Sequence, residues 1–387
     1  MICLKIISGV VILLYCLLML CYRRGWRLQP LHLADSRFQP RTRISIIIPA
    51  RNEAGRIGEC LRALQAQQYP VDLFEAIVVD DHSEDETISQ VQAINAPNIR
   101  CIRLADHLDP DEPVVAYKKK ALAVGIAVSN GELILTTDAD CIAPPGWLST
   151  VAALYEREQP VMVIAPVDFS SDGSLVQLFQ SIDFMTMQGI TAAAHKLRMG
   201  NMSNGANLAF SRDAFEKIGG YAGTEHLASG DDFLLTVKMQ QAFPGKIAYL
   251  KSAEAIVRTA PQPDWRSFLM QRIRWASKSG KYRDTRLTAV LLLVYLLNLL
   301  MVVLAVTALI VPDVFKLLGA LFILKLLAEL CFLWPVAGFF GKRRSLWLFP
   351  LLQPLHILYI VLAGFLGFFG TYTWKGRQIT SDKAVEN

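Results

Sequence analysis

Paired carboxylates, each following an apolar run, are the residues of this sequence best suited to chemistry. Asp138-Ala139-Asp140 follows Ile-Leu-Thr-Thr, and two carboxylates two positions apart at a strand end can face one cleft. Hard oxygen donors of this kind suit Mg2+ or Mn2+, which can bridge the oxygens of a diphosphate. Asp80-Asp81 also ends an apolar run, where it can cap a following helix, contact a ligand, or divide the two tasks. Asp231-Asp232 follows Ser229-Gly230 and opens a helical pattern. It reads as a cap or as a general base, since a neighbouring like charge raises a carboxyl pKa. Gln271-Arg272-Ile273-Arg274-Trp275 lies in a basic segment with Arg266, Lys278, Lys281, Arg283 and Arg286. That segment reads equally as the positive flank of a membrane helix or as an anion clamp with an indole platform for a sugar face.

The elements that must position these groups alternate. Short β-rich runs at 44–49, 74–79, 99–104 and 133–137 are separated by helical patterns at 56–68, 84–94 and 117–128. Such alternation predicts an α/β fold with a parallel, doubly wound sheet, whose ligands bind at the carboxyl ends of the strands. The polar clusters fall at those ends. No GxGxxG or GxxxxGKS/T follows a strand, which counts against a dinucleotide fold and a P-loop. Phosphate charge must then be met by a metal on the carboxylates, or by Lys118–Lys120 and later arginines.

Around this domain the chain is apolar. Of 387 residues, 53% are hydrophobic and 19% charged, against about 25% charged in an ordinary soluble domain. A wholly soluble protein, a disordered chain and a disulfide scaffold are thereby excluded. The seven cysteines show no CxxC spacing, so neither a zinc site nor a redox pair is supported. A net charge of +5 is too mild to argue for nucleic acid. Residues 1–22, 287–312, 314–340 and 346–374 are each long enough to span a bilayer, which takes about 20 apolar residues. The first reads as an uncleaved signal anchor. Arg23, Arg24 and Arg27 outweigh Lys5, which places the chain beyond residue 22 in the cytosol. Lys325 and Glu329, four apart, can neutralise each other on one helix face. Pro350 and Pro354 leave open whether the last run crosses, lies on the surface or re-enters.

Seven segments together resemble the membrane-bound family 2 glycosyltransferases, the branch with cellulose, chitin, hyaluronan and poly-N-acetylglucosamine synthases. They are IIIPARNEAGRI (46–57), VVDDHSEDET (78–87), KKKALAVGI (118–126), ILTTDADC (134–141), GANLAFSRDAFEKIGGY (205–221), SGDDFLL (229–235) and QRIRW (271–275). The resemblance covers about residues 44–280. It implies a GT-A-type nucleotide-sugar-binding domain with one N-terminal and about three C-terminal transmembrane helices. The implied boundaries are an anchor at 1–22, a basic linker at 23–43, the cytosolic transferase domain at 44–255, an interfacial QRIRW segment at 256–286, a membrane region at 287–374 and a polar tail at 375–387.

The resemblance also implies roles. Pro49, Ala50, Asn52 and Glu53 would line the nucleotide pocket, and Asp81, helped by Asp80, would contact the base. Lys119 or Lys120 would serve the phosphates, Asp138 the ribose, and Asp140 with Asp138 the Mg2+ or Mn2+. Asp232 would be the general base beside Asp231. The segment of Gln271, Arg272, Arg274 and Trp275 would face the leaving diphosphate and acceptor sugar. Trp374-Lys375-Gly376-Arg377 is similar to a cytosolic tail motif of relatives that glycosylate lipids.

The expected activity is inverting, metal-dependent sugar transfer from a nucleotide-sugar donor to a lipid-linked or membrane-delivered acceptor. It would take place on the cytosolic side of the cell (inner) membrane, in a multi-pass protein in contact with membrane lipids. Processive polysaccharide synthesis is the alternative, although few helices are present to enclose a polymer, and a membrane partner subunit could complete such a channel. A nucleotidyltransferase would lack the paired acids and QRIRW, and in a non-catalytic scaffold the acidic positions would not all be filled.

Overall fold

In the computed structural model, which describes residues 2–33, 37–109, 114–171, 173–200, 202–227, 230–277, 285–369, 372–374 and 377–379, the first helix outruns its apolar stretch. Helix α1 (Ile2–Leu28) continues through Arg23, Arg24 and Arg27, so the linker expected from residue 23 begins as helix. Long arginine stems tolerate helical backbone well, and nothing before Leu28 breaks it. The described residues group into two units. A sheet unit holds Gln29–Ser170 and Asn201–Ala260. A helical unit holds the chain up to Leu28, Ser171–Gly200, and everything from Pro261 onward. The continuous domain expected over 44–255 is therefore interrupted at 171–200.

In chain order the sheet unit begins with β1 (Ile44–Ala50), α2 (Ile57–Gln65), β2 (Phe74–Asp80), α3 (Thr87–Gln92), β3 (Ile99–Arg103), α4 (Tyr117–Ala127), β4 (Leu133–Thr136), α5 (Trp147–Glu158), β5 (Met162–Ile164) and β6 (Val167–Phe169). Helix α6 (Leu175–Leu197) belongs to the helical unit. The sheet unit resumes with β7 (Leu208–Ser211), α7 (Arg212–Lys217), α8 (Asp231–Ala242), β8 (Ile247–Tyr249) and β9 (Val257–Thr259). The main sheet runs β3-β2-β1-β4-β7-β5-β8. Strands β1 to β4 are parallel, as the alternation predicts, but β7 is antiparallel to both β4 and β5, so the whole sheet is mixed. β6 and β9 form a small parallel pair.

Ile44, Ile46, Ile47 and Ile48 of β1 are all fully buried, as expected of a central strand covered on both faces. Helix α4 crosses β1 and β2 closely at Gly125. A Cβ there would lie 2.6 Å from Ile47 Cγ2 and 2.9 Å from Val79 Cγ2. This approach, open only to glycine, brings the lysines at the start of α4 to the carboxyl end of β4. Helix α3 is shorter than the predicted 84–94. Asp85 accepts the amides of Ala54 and Thr87, both at 3.0 Å, and holds residues 84–86 as a turn.

The helical unit continues with α9 (Trp265–Ala276), α10 (Thr285–Ala308), α11 (Val314–Phe339), α12 (Phe349–Phe369) and the hairpin strands β10 (Tyr372–Trp374) and β11 (Arg377–Ile379). Helices α1, α10, α11 and α12 are long and apolar enough to cross a membrane. Pro354 lies inside α12 without ending it, and Pro350 occupies its first turn, where no amide bond is lost. α1 runs along α11 through Tyr22–Phe332 and Trp26–Phe339 ring contacts. α6 packs on both: a Cβ at Gly25 would lie 2.7 Å from the carbonyl oxygen of Ala193, and one at Gly189 would lie 2.9 Å from Val336. The expected pair of Lys325 and Glu329 is formed and buried, with Nζ 2.6 Å from Oε1. Gln353 and Tyr15 complete its hydrogen bonds.

Candidate active site

The loops after β1 and β2 are laced together. Asn52 adopts a left-handed φ of 53°, a conformation its short polar side chain tolerates. Its amide donates to Ser83 Oγ at 3.0 Å, and its Oδ1 accepts the Glu84 amide at 2.9 Å. The Glu53 amide donates to Thr87 Oγ1 at 2.8 Å. Pro49 and Ala50 end β1, where the Ala50 carbonyl accepts the Asp81 amide at 2.7 Å. Neither Asp80 nor Asp81 caps α3, whose N-cap is Glu86. Asp81 is buried, with Oδ1 2.9 Å from His82 Nδ1 and 3.8 Å from Arg51 Nη1. Asp80 is buried beside it, and its Oδ1 accepts no hydrogen bond from the described residues. Such an orphaned buried acceptor calls for a ligand or water donor.

The carboxylates after β4 meet the start of α4. Lys118 Nζ lies 2.6 Å from Asp138 Oδ1 and 3.6 Å from Asp231 Oδ2. Burial would lower the pKa of Lys118, but Asp138, Asp231 and Asp232 together hold it above the ordinary value. Lys118, rather than the expected Lys119 or Lys120, is the lysine of the run seen to meet these carboxylates. Lys119 is buried and donates to the carbonyls of Thr224 and Leu227 at 2.8 and 2.9 Å, fastening the loop ahead of α8. Lys120 is half-buried one position further on. A helix presents consecutive residues about 100° apart, so the three lysines point in different directions.

Asp140 Oδ2 accepts Thr259 Oγ1 at 3.1 Å and lies 3.5 Å from Arg56 Nη1. Burial, then Asp138 and Glu53, raise its pKa, while Thr259 and Arg56 oppose the shift. Asp231 and Asp232 are not caps: Gly230, at φ 83°, is the N-cap of α8, and the acids form its first turn. There they complement the helix dipole. Asp232 Oδ1 accepts the Phe233 amide at 2.7 Å and Oδ2 the Gly205 amide at 3.2 Å. A Cβ at Gly205 would lie 3.2 Å from Asp231 Oδ2 and 3.8 Å from Lys118 Nζ. Asn207 anchors this turn from below, bonding Trp147 and the carbonyls of Pro166 and Ala255.

Arg56, Thr259 and Gly205 were not singled out by sequence reasoning. Arg56 and Gly205 lie inside matched segments, whereas Thr259, in β9, carries no sequence signal.

The QRIRW residues occupy α9 of the helical unit, capped by Asp264, whose Oδ1 accepts the Ser267 amide at 2.8 Å. Gln271, Arg274 and Trp275 are partly exposed. Arg272 is buried, 2.7 Å from Asp183 Oδ2 of α6, with its guanidinium carbon 4.2 Å from the Trp275 ring centroid. Ser229, Lys278, Lys281, Arg283 and the tail at 375–376 and 380–387 lie outside the described residues.

Asp138, Asp140 and Cys141 offer ligand atoms within 4.8 Å of one another. Asp140, its pKa raised by burial and then by the neighbouring Asp138 and Glu53, would gain from a nearby cation, and the hard oxygen donors here fit Mg2+ or Mn2+. The oxygen donors at the end of β4 can thus hold a cation, and two further carboxylates stand at the head of α8.

Two family profiles match this chain. "Glycosyl transferase family 2" matches residues 45–219, and "Glycosyl transferase family group 2" matches residues 133–368. Glycosyltransferase AglE of Haloferax volcanii is 28% identical over 203 residues, 51% of this chain and 62% of its own. An N-acetylglucosaminyltransferase of Rhizobium meliloti is 26% identical over 265 residues, 66% of this chain and 59% of its own. The chain therefore spans less than two thirds of the length of these curated relatives. Mannosyltransferase PcManGT from Pyrobaculum calidifontis, solved in complex with GDP-Man and Mn2+, shares the fold, with a TM-score of 0.56 at 19% identity, covering 95% of this chain and 97% of that one. With the second profile spanning more than half of its length, this chain belongs to the family 2 glycosyltransferases.

Proposed function

We propose that the protein transfers a sugar from a nucleoside-diphosphate sugar to an acceptor hydroxyl, inverting the anomeric configuration. The observation that carries this reading is the convergence of Asp138 and Asp231 on Lys118, with Asp140 and Asp232 alongside. If Asp138 serves the donor and Asp231 flanks the base, one cation links the two sides of the reaction. The PcManGT complex with GDP-Man and Mn2+ supports the same class of donor and ion.

In this reading the orphaned Asp80 oxygen, with Asp81, takes donors of the nucleotide base. Pro49, Ala50, Asn52 and Glu53 wall the nucleotide. Asp138 and Asp140 hold Mg2+ or Mn2+, which when bound neutralises charge on the diphosphate. Asp232, oriented by the Gly205 and Phe233 amides, takes the proton of the acceptor hydroxyl. The acceptor oxygen bonds to the anomeric carbon as the bond to the diphosphate oxygen breaks on the opposite face. Lys118 exchanges Asp138 for the departing diphosphate, and Gln271, Arg274 and Trp275 serve the diphosphate and acceptor sugar. The four apolar helices favour a lipid-linked or membrane-delivered acceptor at the cytosolic face of the cell membrane.

The test is a donor screen on the purified full chain in detergent with Mn2+ or Mg2+, following nucleoside-diphosphate release. Release with one donor, lost in Asp232→Asn and in Asp140→Ala, is expected. Release unchanged in both variants would overturn these assignments.

A further inference from the structure

Asp183 lies in the middle of α6, almost fully buried, and no sequence motif points to it. Its carboxylate draws groups from two other helices. Arg272 Nη2 of α9 is 2.7 Å away, Tyr359 of α12 donates its hydroxyl, and His356 Nε2 of α12 is 3.6 Å away. Phe179, Phe268 and Tyr359 close around it, with ring centroids 5.3 to 5.6 Å apart. An isolated carboxylate in such surroundings is strongly disfavoured, and the pairing with Arg272 is what makes the burial tolerable.

The partner residue matters because of where it sits. In α9 only Phe268, Arg272 and Ile273 are buried, so Arg272 is one of three side chains that fix this short helix. Gln271 and Arg274 project about 100° and 200° around the axis from Arg272, and Trp275, three residues on, stacks against its guanidinium. The contact with Asp183 is therefore one of the packing contacts that restrain the rotation of α9 about its axis. The same platform holds the start of α9. Gln180 of α6 exchanges two hydrogen bonds with Gln262, each at 2.9 Å. At the other end of α9, Gly367 of α12 lies so close that a Cβ would meet Ala276 at 2.7 Å.

We propose that Asp183 is a positioning residue for the transfer reaction: through Arg272 it fixes the rotation of α9 and so aims Gln271, Arg274 and Trp275. This rests on the reading that those three residues serve the leaving diphosphate and acceptor.

The experiment compares wild type, Asp183→Asn and Arg272→Lys as full chains in detergent. It measures kcat and donor KM from nucleoside-diphosphate release, per folded molecule, and amide hydrogen exchange over residues 265–276. Asp183→Asn is expected to lower kcat about tenfold or more while leaving donor KM within about twofold, since misaimed groups cost rate rather than donor affinity. Exchange in α9 should quicken, with β1 and β4 unchanged. Arg272→Lys, which keeps the charge but not the fork, should fall between. Wild-type kcat in Asp183→Asn would overturn the proposal. So would unchanged exchange in α9. Should wild type release no nucleotide with any donor, the catalytic reading fails on its own, and exchange in α9 still decides whether Asp183 aims the helix. If Asp183→Asn does not fold, Tyr359→Phe removes one donor to the same carboxylate and is judged by the same two readouts.

Discussion

Lys118 Nζ lies 2.6 Å from Asp138 Oδ1, so the cation at the start of α4 is engaged by the carboxylate that follows β4. The same ammonium is 3.6 Å from Asp231 at the head of α8. One side chain thus joins three segments distant in sequence, and the neighbouring Lys119 does something else entirely.

The two lysines should therefore fail differently. Lys118→Met is expected to reduce kcat about 100-fold, the cost typical of removing a group that stabilises developing charge, and to lower Tm as well, since Asp138 and Asp231 lose their shared cation. Lys119→Met should lower Tm by the loss of two charged hydrogen bonds, about 1.5–3 kcal/mol each at most, and reduce activity only through folding. Steady-state kinetics beside thermal unfolding of both variants checks this.

Metal removal separates the Asp138–Asp140 end of the site from the rest. Mn2+ at 100 times its Kd should stabilise the full chain by about 2.7 kcal/mol, and chelation should reverse it. Asp140→Ala should abolish the shift, whereas Asp232→Asn should retain it. Thermal unfolding with and without Mn2+ reads the difference.

Gly205→Ala tests the close approach beneath Asp231. The added Cβ would sit 3.2 Å from Asp231 Oδ2, so the carboxylate must move a few tenths of an ångström. Activity is expected to fall about tenfold while Tm changes by no more than about 1 kcal/mol would produce. Unaltered turnover would show that the position of Asp231 is not critical.

Acid stability should carry the signature of Asp183. Burial raises its pKa, but Arg272 above all, then His356 and Tyr359, bring it below the ordinary carboxyl value. A carboxyl depressed on folding adds stability that is fully present above its unfolded value, about 3.9, and is lost as pH falls through the folded one. The Tm of wild type should drop more steeply below about pH 4 than that of Asp183→Asn. Parallel acid limbs would contradict the pairing.

Glu329→Ala leaves Lys325 buried among apolar helices without its counter-charge. Removing one partner of a buried pair typically costs about 3–5 kcal/mol, whereas replacing both is often nearly neutral. Unfolding in detergent should show Glu329→Ala strongly destabilised and Lys325→Met with Glu329→Gln largely restored.

Much of this was legible in the amino-acid order. Continuous apolar runs can only be doubly covered strands or membrane-length helices, and the acids that come after them fall at strand ends by the rule of parallel sheets. The strand-end placement of Asp80, Asp138 and Asp140 was therefore legible from position, and the pairing of Lys325 with Glu329 from their spacing of four. Whether Asp231 and Asp232 were caps was not decidable that way, because acids suit both an N-cap and a first helical turn. Gly230 in the left-handed region settled it.

The tertiary structure alone decided which lysine of three meets the carboxylates, because that depends on the rotation of α4 as it crosses β1 at Gly125. It alone decided that Arg272 is inside and paired with Asp183, since a basic side chain in a basic segment carries no mark of burial. The antiparallel β7, Thr259 on Asp140 and Asn52 laced to Ser83 belong to the same class. Local sequence fixes what a segment can form and which chemistry it can offer. Contacts between residues far apart in the chain are chosen by packing, where close approach and paired charge select one arrangement from several that the pattern allows.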